Sequence, residues 1–271
     1  PVFFIAVKSD DQKGYDAALE RLEVINNIYS LVPMTTDDAV LDDVQAHVKK
    51  MSGEETKLWR IAVVGISTDK TVSIYNNSKH PLDNEYDAIV SGTLVTFAEA
   101  DETVALADIL PGDEFRYYYG RDGGYESRIV DHVIDNRHIM LTEPFDQDSA
   151  TMLKCEVWRD LTSAQWIDYT ANKISAFRDR RMYVVFPEVL WNNGNKYPGY
   201  IGAAAIAGLI SSVPPQQGLT NITLNGFDDI PMTYSSYTRT QLNHIAEYGG
   251  LIIMQDVPGG QVYVRHQVST A

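Results

Sequence analysis

The chain has 271 residues, 44% of them hydrophobic and 22% charged, which is enough to bury a real core and somewhat long for one ordinary domain. Its formal net charge of −15 disfavours direct contact with a phosphate backbone, although an acidic surface also serves simply to keep soluble proteins apart. Cys155 is the single cysteine, so an intrachain disulfide is excluded, and no run reads as a transmembrane helix or a signal peptide.

Residues 2–7 form a near-continuous apolar run, which predicts a strand buried on both faces. The chain opens on this run without an initiator Met and stops at Ala271 with no terminal cap, so both ends are expected to continue in a longer protein. Tyr15, Ala18, Leu19, Leu22 and Ile25 then recur at helical spacing. A second strand is predicted over 28–32, ended by Pro33. The next helix has Thr35 and Thr36 as N-cap candidates and Asp37 and Asp38 in its first turn. Val40, Leu41, Val44, Val48 and Met51 form its apolar stripe, Lys49 and Lys50 close its last turn, and Gly53 follows. A strand over 59–64 completes an alternation that implies parallel pairing with crossover helices.

The pattern changes near Ser67. Short β-rich runs follow at 71–75, 89–97, 114–119, 127–134, 138–141 and 152–158. Turn residues separate them, as at Pro111, Gly112 and Asp113 or at Asp135 and Asn136, and such spacing predicts a small antiparallel barrel or sandwich. The α/β pattern then resumes. A capping box over 162–165 opens a helix whose buried face is Trp166, Ile167, Thr170, Ile174 and Phe177. A strand over 182–186 precedes Pro187, and a small-residue helix over 198–210 halts before Pro214 and Pro215. A second capping box, Thr238 to Gln241, opens a helix carrying Leu242, Ile245 and Ala246, which Gly249 and Gly250 end. Runs at 251–254 and 261–265 then read as a hairpin around Pro258, Gly259 and Gly260. The expected fold class is mixed α/β: a discontinuous α/β sheet domain over 1–67 and 161–271, interrupted over 68–160 by an inserted antiparallel β-barrel or sandwich domain. Neither α/β segment has strands enough for a sheet alone, so the two are expected to share one.

Chemistry is sparse. Gly65, Ile66 and Ser67 follow a strand as a nucleophile elbow would, but Asp69 stands where the second Gly is needed and no helical pattern follows. No phosphate-cradling loop is present. The glycines of 199–208 lack dinucleotide spacing and suit close helix packing better. The histidines His47, His80, His132, His138, His244 and His266 show no zinc-ligand pairing, and His47 lies near an apolar helical face as a core histidine would. The acidic pairs Asp37–Asp38, Asp42–Asp43 and Asp228–Asp229 lack a calcium-loop pattern and read as helix start or solvated surface. The run Tyr117, Tyr118, Tyr119 fits an interface or simply a strand. No catalytic, cofactor or metal residue is assigned, and the chain is not expected to be an enzyme.

The final third carries a resemblance. The Ala-rich run 203–209, with Gly202 before it and ending in Ala207, Gly208 and Leu209, leads to a loop with Pro214, Pro215 and Gly218. Farther on come Gln241, Leu242 and Asn243, then Gly249 and strands through Arg265 and His266. This order resembles contractile phage tail sheath proteins. The match is close over 198–271 and looser over 1–67 and 161–190, and the inserted β-domain has no matching motif. The resemblance implies a structural subunit that polymerises around a tail tube and contracts to drive it through the host envelope. Its implied partners are other sheath subunits, the tube protein and the baseplate, and its implied location is the virion tail, with assembly in the host cytoplasm. Family subunits lock through terminal arms that this chain does not contain, so the chain alone is expected to be monomeric, with its β-domain facing outward. Alternatives are a bacteriocin or type VI secretion sheath, an α/β enzyme with a cleft at its strand C-termini, and a sugar-binding β-domain using Trp158 and the tyrosines.

Overall fold

The computed structural model describes residues 4–68, 70–76, 88–97, 108–119, 124–145, 149–152, 155–187, 189–214, 217–228, 230, 237–257 and 259–266. The chain divides into two compact units, one formed by 1–68 with 164–271 and the other by 69–163. The first stretch holds α1 (Gln12–Glu23), β1 (Ser30–Leu31), α2 (Asp38–Met51) and β2 (Ile61–Gly65). The middle stretch holds β3 (Thr71–Asn76), β4 (Ala88–Ser91), β5 (Leu94–Phe97), β6 (Glu114–Tyr119), β7 (Gly124–Val133), β8 (His138–Leu141), β9 (Ser149–Met152) and β10 (Cys155–Asp160). The last stretch holds α3 (Ser163–Ala176), β11 (Met182–Phe186), β12 (Val189–Asn192), β13 (Asn195–Pro198), α4 (Gly199–Ser212), α5 (Arg239–Glu247), β14 (Gly250–Gln255) and β15 (Val262–His266).

In the first unit the two ends of the chain build one five-stranded sheet, ordered β1-β2-β11-β14-β15. The first four strands are parallel and β15 joins β14 antiparallel. Helices cover both faces, which is why β2 and β14 are buried along their whole length. Gly250 faces Ile245 of α5 and Ile174 of α3, whereas Ile253, of opposite parity, faces Gly202 of α4. The stripe expected on α2 is buried in full, and so is that on α3. The α2 cap, however, is Asp37, whose carboxylate accepts from the Val40 N–H at 3.1 Å. Thr35 Oγ1 instead accepts from the Asp37 N–H.

Two expectations need correction here, and one hairpin was not anticipated. Residues 4–7 are irregular and Phe4 is 94% exposed, while residues 1–3 lie outside the described set. An apolar run makes a strand only where a neighbour takes up its backbone groups, and among the described residues none does so. The strand expected from Trp59 begins at Ile61, leaving Trp59 exposed. The chain between β11 and α4 forms a hairpin, β12–β13, turned by Asn193 and Gly194 at positive φ.

The second unit is an eight-stranded antiparallel sheet ordered β3-β10-β6-β7-β8-β5-β4-β9. The long β7 pairs with β6 through its first half and with β8 through its second, with a register shift between Val130 and His132. One core gathers Val90, Val95 and Phe97 from one half with Phe115, Tyr117 and Val157 from the other, so the sheet folds over itself. Cys155 is buried within it and forms no disulfide. Asp113, 2% exposed, accepts from Arg159 at both oxygens (2.7 and 2.8 Å) and from the Leu110 N–H, pinning β10 to the turn before β6.

Candidate functional site

The segment carrying the sheath-like motif forms one block on the first unit. Its centre is α4, which packs closely because side chains are missing where it meets its neighbours. A Cβ on Gly202 would lie 2.5 Å from Leu190 Cδ1, and one on Gly65 would lie 2.4 Å from the backbone of Gly199 and Tyr200. The start of α4 therefore sits backbone to backbone on the end of β2. Gly208 differs, since it is exposed and has open space where a side chain would go. Leu209 beside it is half-buried. Ser211 Oγ donates to the Ala207 carbonyl and Ser212 Oγ to that of Leu209, finishing the last turn.

Beyond α4 the chain returns along the sheet edge. Pro214 and Gly218 are exposed, Pro215 lies outside the described residues, and Leu219 is buried. Residues 221–224 then run beside β15. The Asn221 N–H donates to the Val264 carbonyl (2.7 Å), the Val264 N–H to that of Ile222 (3.0 Å), and the Leu224 N–H to that of Val262 (2.9 Å). The outer edge of β15 is covered in this way. The predicted capping box at Thr238 and Gln241 opens α5, with Leu242 buried. Asn243 Oδ1 accepts from Arg265 Nη2 at 3.0 Å, joining α5 to β15. Gly249, with φ of 105°, turns the chain into β14. Of the motif residues, the structure thus brings together Gly202, Leu242, Asn243, Gly249 and Arg265 around the sheet. Gly208, Pro214 and Gly218 lie at the surface.

Ser67 leads into β3, not into the helix a nucleophile elbow requires. A shallow depression of about 390 Å³ beside α4 is lined by Asn192, Tyr197, Ile201, Ala204, Asn225 and Phe227 among others, and among the described residues its lining holds no Asp, Glu, His, Lys or Cys. Among the described residues no three His, Cys, Asp or Glu side chains gather in a metal-binding group, and no helix is long and apolar enough to cross a membrane. His244 sits 3.1 Å from Asp168, with its ring tilted against that of Tyr248. Asp43 accepts from Gln12 Nε2 at 2.7 Å, and Asp228 from the Asn193 N–H at 2.6 Å, while Asp229 lies outside the described residues.

Two clusters were not legible beforehand. The first is Arg60, fully buried, whose guanidinium donates to the carbonyls of Leu22 and Ile25 and lies 2.7 Å from His47 Nε2. Burial and the neighbouring cation hold His47 down at about 4. An arginine inside the apolar run 59–64 was the available signal. The second, in the other unit, places Arg116 over the rings of Tyr125 and Trp158 at 5.0 and 4.9 Å, with the Tyr118 hydroxyl and Trp158 Nε1 both donating to Glu156. These groups pack together on the sheet face opposite the core, where Arg116 also pairs with Glu114.

No family model matches the chain, and no curated protein matches it. Among solved structures, it is similar to a sheath tail protein from Desulfitobacterium hafniense, with 10% identity and a TM-score of 0.32 over 99% of this chain and 75% of that one. A sheath tail protein from Listeria innocua is similar at 11% identity and a TM-score of 0.31, over 96% of this chain and 72% of that one.

Proposed function

We propose that this chain is part of a tail sheath-like structural subunit, which acts by packing against copies of itself around a tail tube and not by turning over a substrate. The observation that carries this reading is the motif block. Its pieces, spread over residues 202–265, resemble the sheath pattern in order. They also fold around one sheet, with α4 on one face, α5 and the Asn243–Arg265 bond on the other, and residues 221–224 along the edge of β15. In such a subunit the energy of contraction is the difference between two packings of identical interfaces, so no active site is needed. The other sheath subunits, the tube protein and the baseplate are the partners of this reading. The inserted β-unit would then face away from the tube.

Electron microscopy of the full-length protein, alone and with its tube protein, tests it. Hollow cylinders that exist in a long and a short form are expected. Full-length subunits that never assemble, but convert a small molecule, would overturn it. By this reading the chain by itself stays monomeric at modest concentration, and light scattering showing stable rings would count against the need for its terminal arms.

A further inference from the structure

Resting on that reading, we infer that the end of the five-stranded sheet where its parallel strands begin, built on Trp59, Tyr29 and Arg181, is a contact surface for a second copy of this chain. Tyr29, Trp59 and Arg181 stand just ahead of β1, β2 and β11, three adjacent strands, and backbone bonds fix Tyr29 and Arg181 there. The Ile61 N–H donates to the Tyr29 carbonyl and the Ala62 N–H to that of Arg181, each at 2.8 Å. Trp59 is 62% exposed and Tyr29 58%, although both precede buried strands. Arg181, itself only 9% exposed, backs the Trp59 ring with its guanidinium 4.7 Å from the ring centre, and its own N–H is held by Asp179. Trp, Tyr and Arg are the side chains that dominate binding energy at protein contacts, and holding them in place beforehand lowers the entropy lost on binding.

Charge says what covers them. The chain is strongly acidic, yet Arg178, Arg180 and Lys57 crowd this end, exposed and without an ion-pair partner among the described residues. Glu54 and Glu55 stand in the same α2–β2 connection and temper the field without reversing it. The matching surface is on the same unit. Asp16 and Glu20 of α1 and Asp43 of α2 form an exposed to half-exposed acidic face, again with no cation paired to them among the described residues. Asp16 is held above its ordinary value by desolvation and by Asp43 beside it. A basic, aromatic patch on one copy and an acidic face on the next make a heterologous contact, the kind that propagates an open array instead of closing a dimer.

A charge-swap pair tests this on the chain as it stands. Sedimentation velocity at high protein concentration and low ionic strength should show weak self-association of the wild type that added salt removes. R178E/R180E and D16K/D43K variants should each lose it, and an equimolar mixture of the two should regain it. Trp59→Ala should weaken it at least tenfold. A wild type that stays monomeric under all these conditions, or association indifferent to both swaps, would overturn the inference. So would a short DNA duplex that binds the same arginines under these conditions when a second copy does not. Cylinder formation by the full-length protein tests the sheath reading separately: cylinders that form normally with R178E/R180E would leave that reading intact and remove this surface from it.

Discussion

Arg60 Nη1 lies 2.7 Å from His47 Nε2, and both side chains are buried between α1, α2 and the start of β2. A guanidinium only donates, so His47 must accept at Nε2 and carry its proton on Nδ1. Two further donations, to the carbonyls of Leu22 and Ile25, let the same arginine hold the C-terminal end of α1. α1 buries little apolar surface of its own, with Gly14 and Ala18 its only fully buried residues. Polar contacts therefore carry much of its attachment.

The first prediction concerns pH. His47 titrates near 4 in the folded chain, below the ordinary 6.5, chiefly because burial disfavours the cation and next because Arg60 repels it. Glu23 opposes the shift and Lys50 adds to it. The unfolded chain therefore takes up a proton between those values that the folded chain refuses. Stability from this site is complete above pH 6.5 and falls as pH drops toward 4, by up to about 1.4 kcal/mol per pH unit. Urea denaturation of wild type and His47→Gln across this range should show a shallower fall in the variant, whose amide oxygen accepts from Arg60 without titrating.

Arg60→Met removes the donor from three acceptors at once. The expected loss is roughly 2–4 kcal/mol of stability. Hydrogen exchange should place the loosening in α1 before the sheet strands. Equal protection of α1 in both proteins would mean that Arg60 does not hold this helix.

Three glycines should respond to alanine in three ways. Gly65→Ala drives a methyl group into the Gly199–Tyr200 backbone, which cannot swing aside, and about 3 kcal/mol of destabilisation is expected. Gly202→Ala meets the end of the Leu190 side chain, buried but able to change rotamer, so its cost should be smaller, about 1–2 kcal/mol, and relieved in part by Leu190→Ala. Gly208→Ala enters open space on a helix and should stabilise by up to about 1 kcal/mol. Thermal unfolding of the three variants checks the order.

Replacing residues 69–163 with a short linker should leave a folded remainder. The inserted stretch begins and ends as a paired couple: the Leu161 N–H donates to the Lys70 carbonyl at 2.7 Å, and Thr71 Oγ1 to Asp160 at the same distance. Its core is also its own. Circular dichroism of the shortened chain should retain the helices and a cooperative transition. Its collapse to an unfolded chain would show that the first unit depends on the second.

Local chemistry alone determined a good deal of this protein. α2 was legible because its stripe and its charged ends agree, β11 because a short apolar run stops at Pro187, and α5 because Thr238 and Gln241 cap it reciprocally. The sharing of one sheet between the chain's two ends followed from counting strands, since neither end alone could pair its backbone. What only the tertiary structure decided depends on neighbours distant in sequence. Residues 2–7 read as a strand, yet among the described residues none pairs with the backbone of 4–7. Gly202 and Gly208 look alike within α4, yet Leu190 and Ile253 stand against the first and, among the described residues, none stands against the second. Trp59 and Arg60 are adjacent in sequence, but one faces solvent while the other is buried against His47, because periodicity fixes which residues share a face and never what that face will meet.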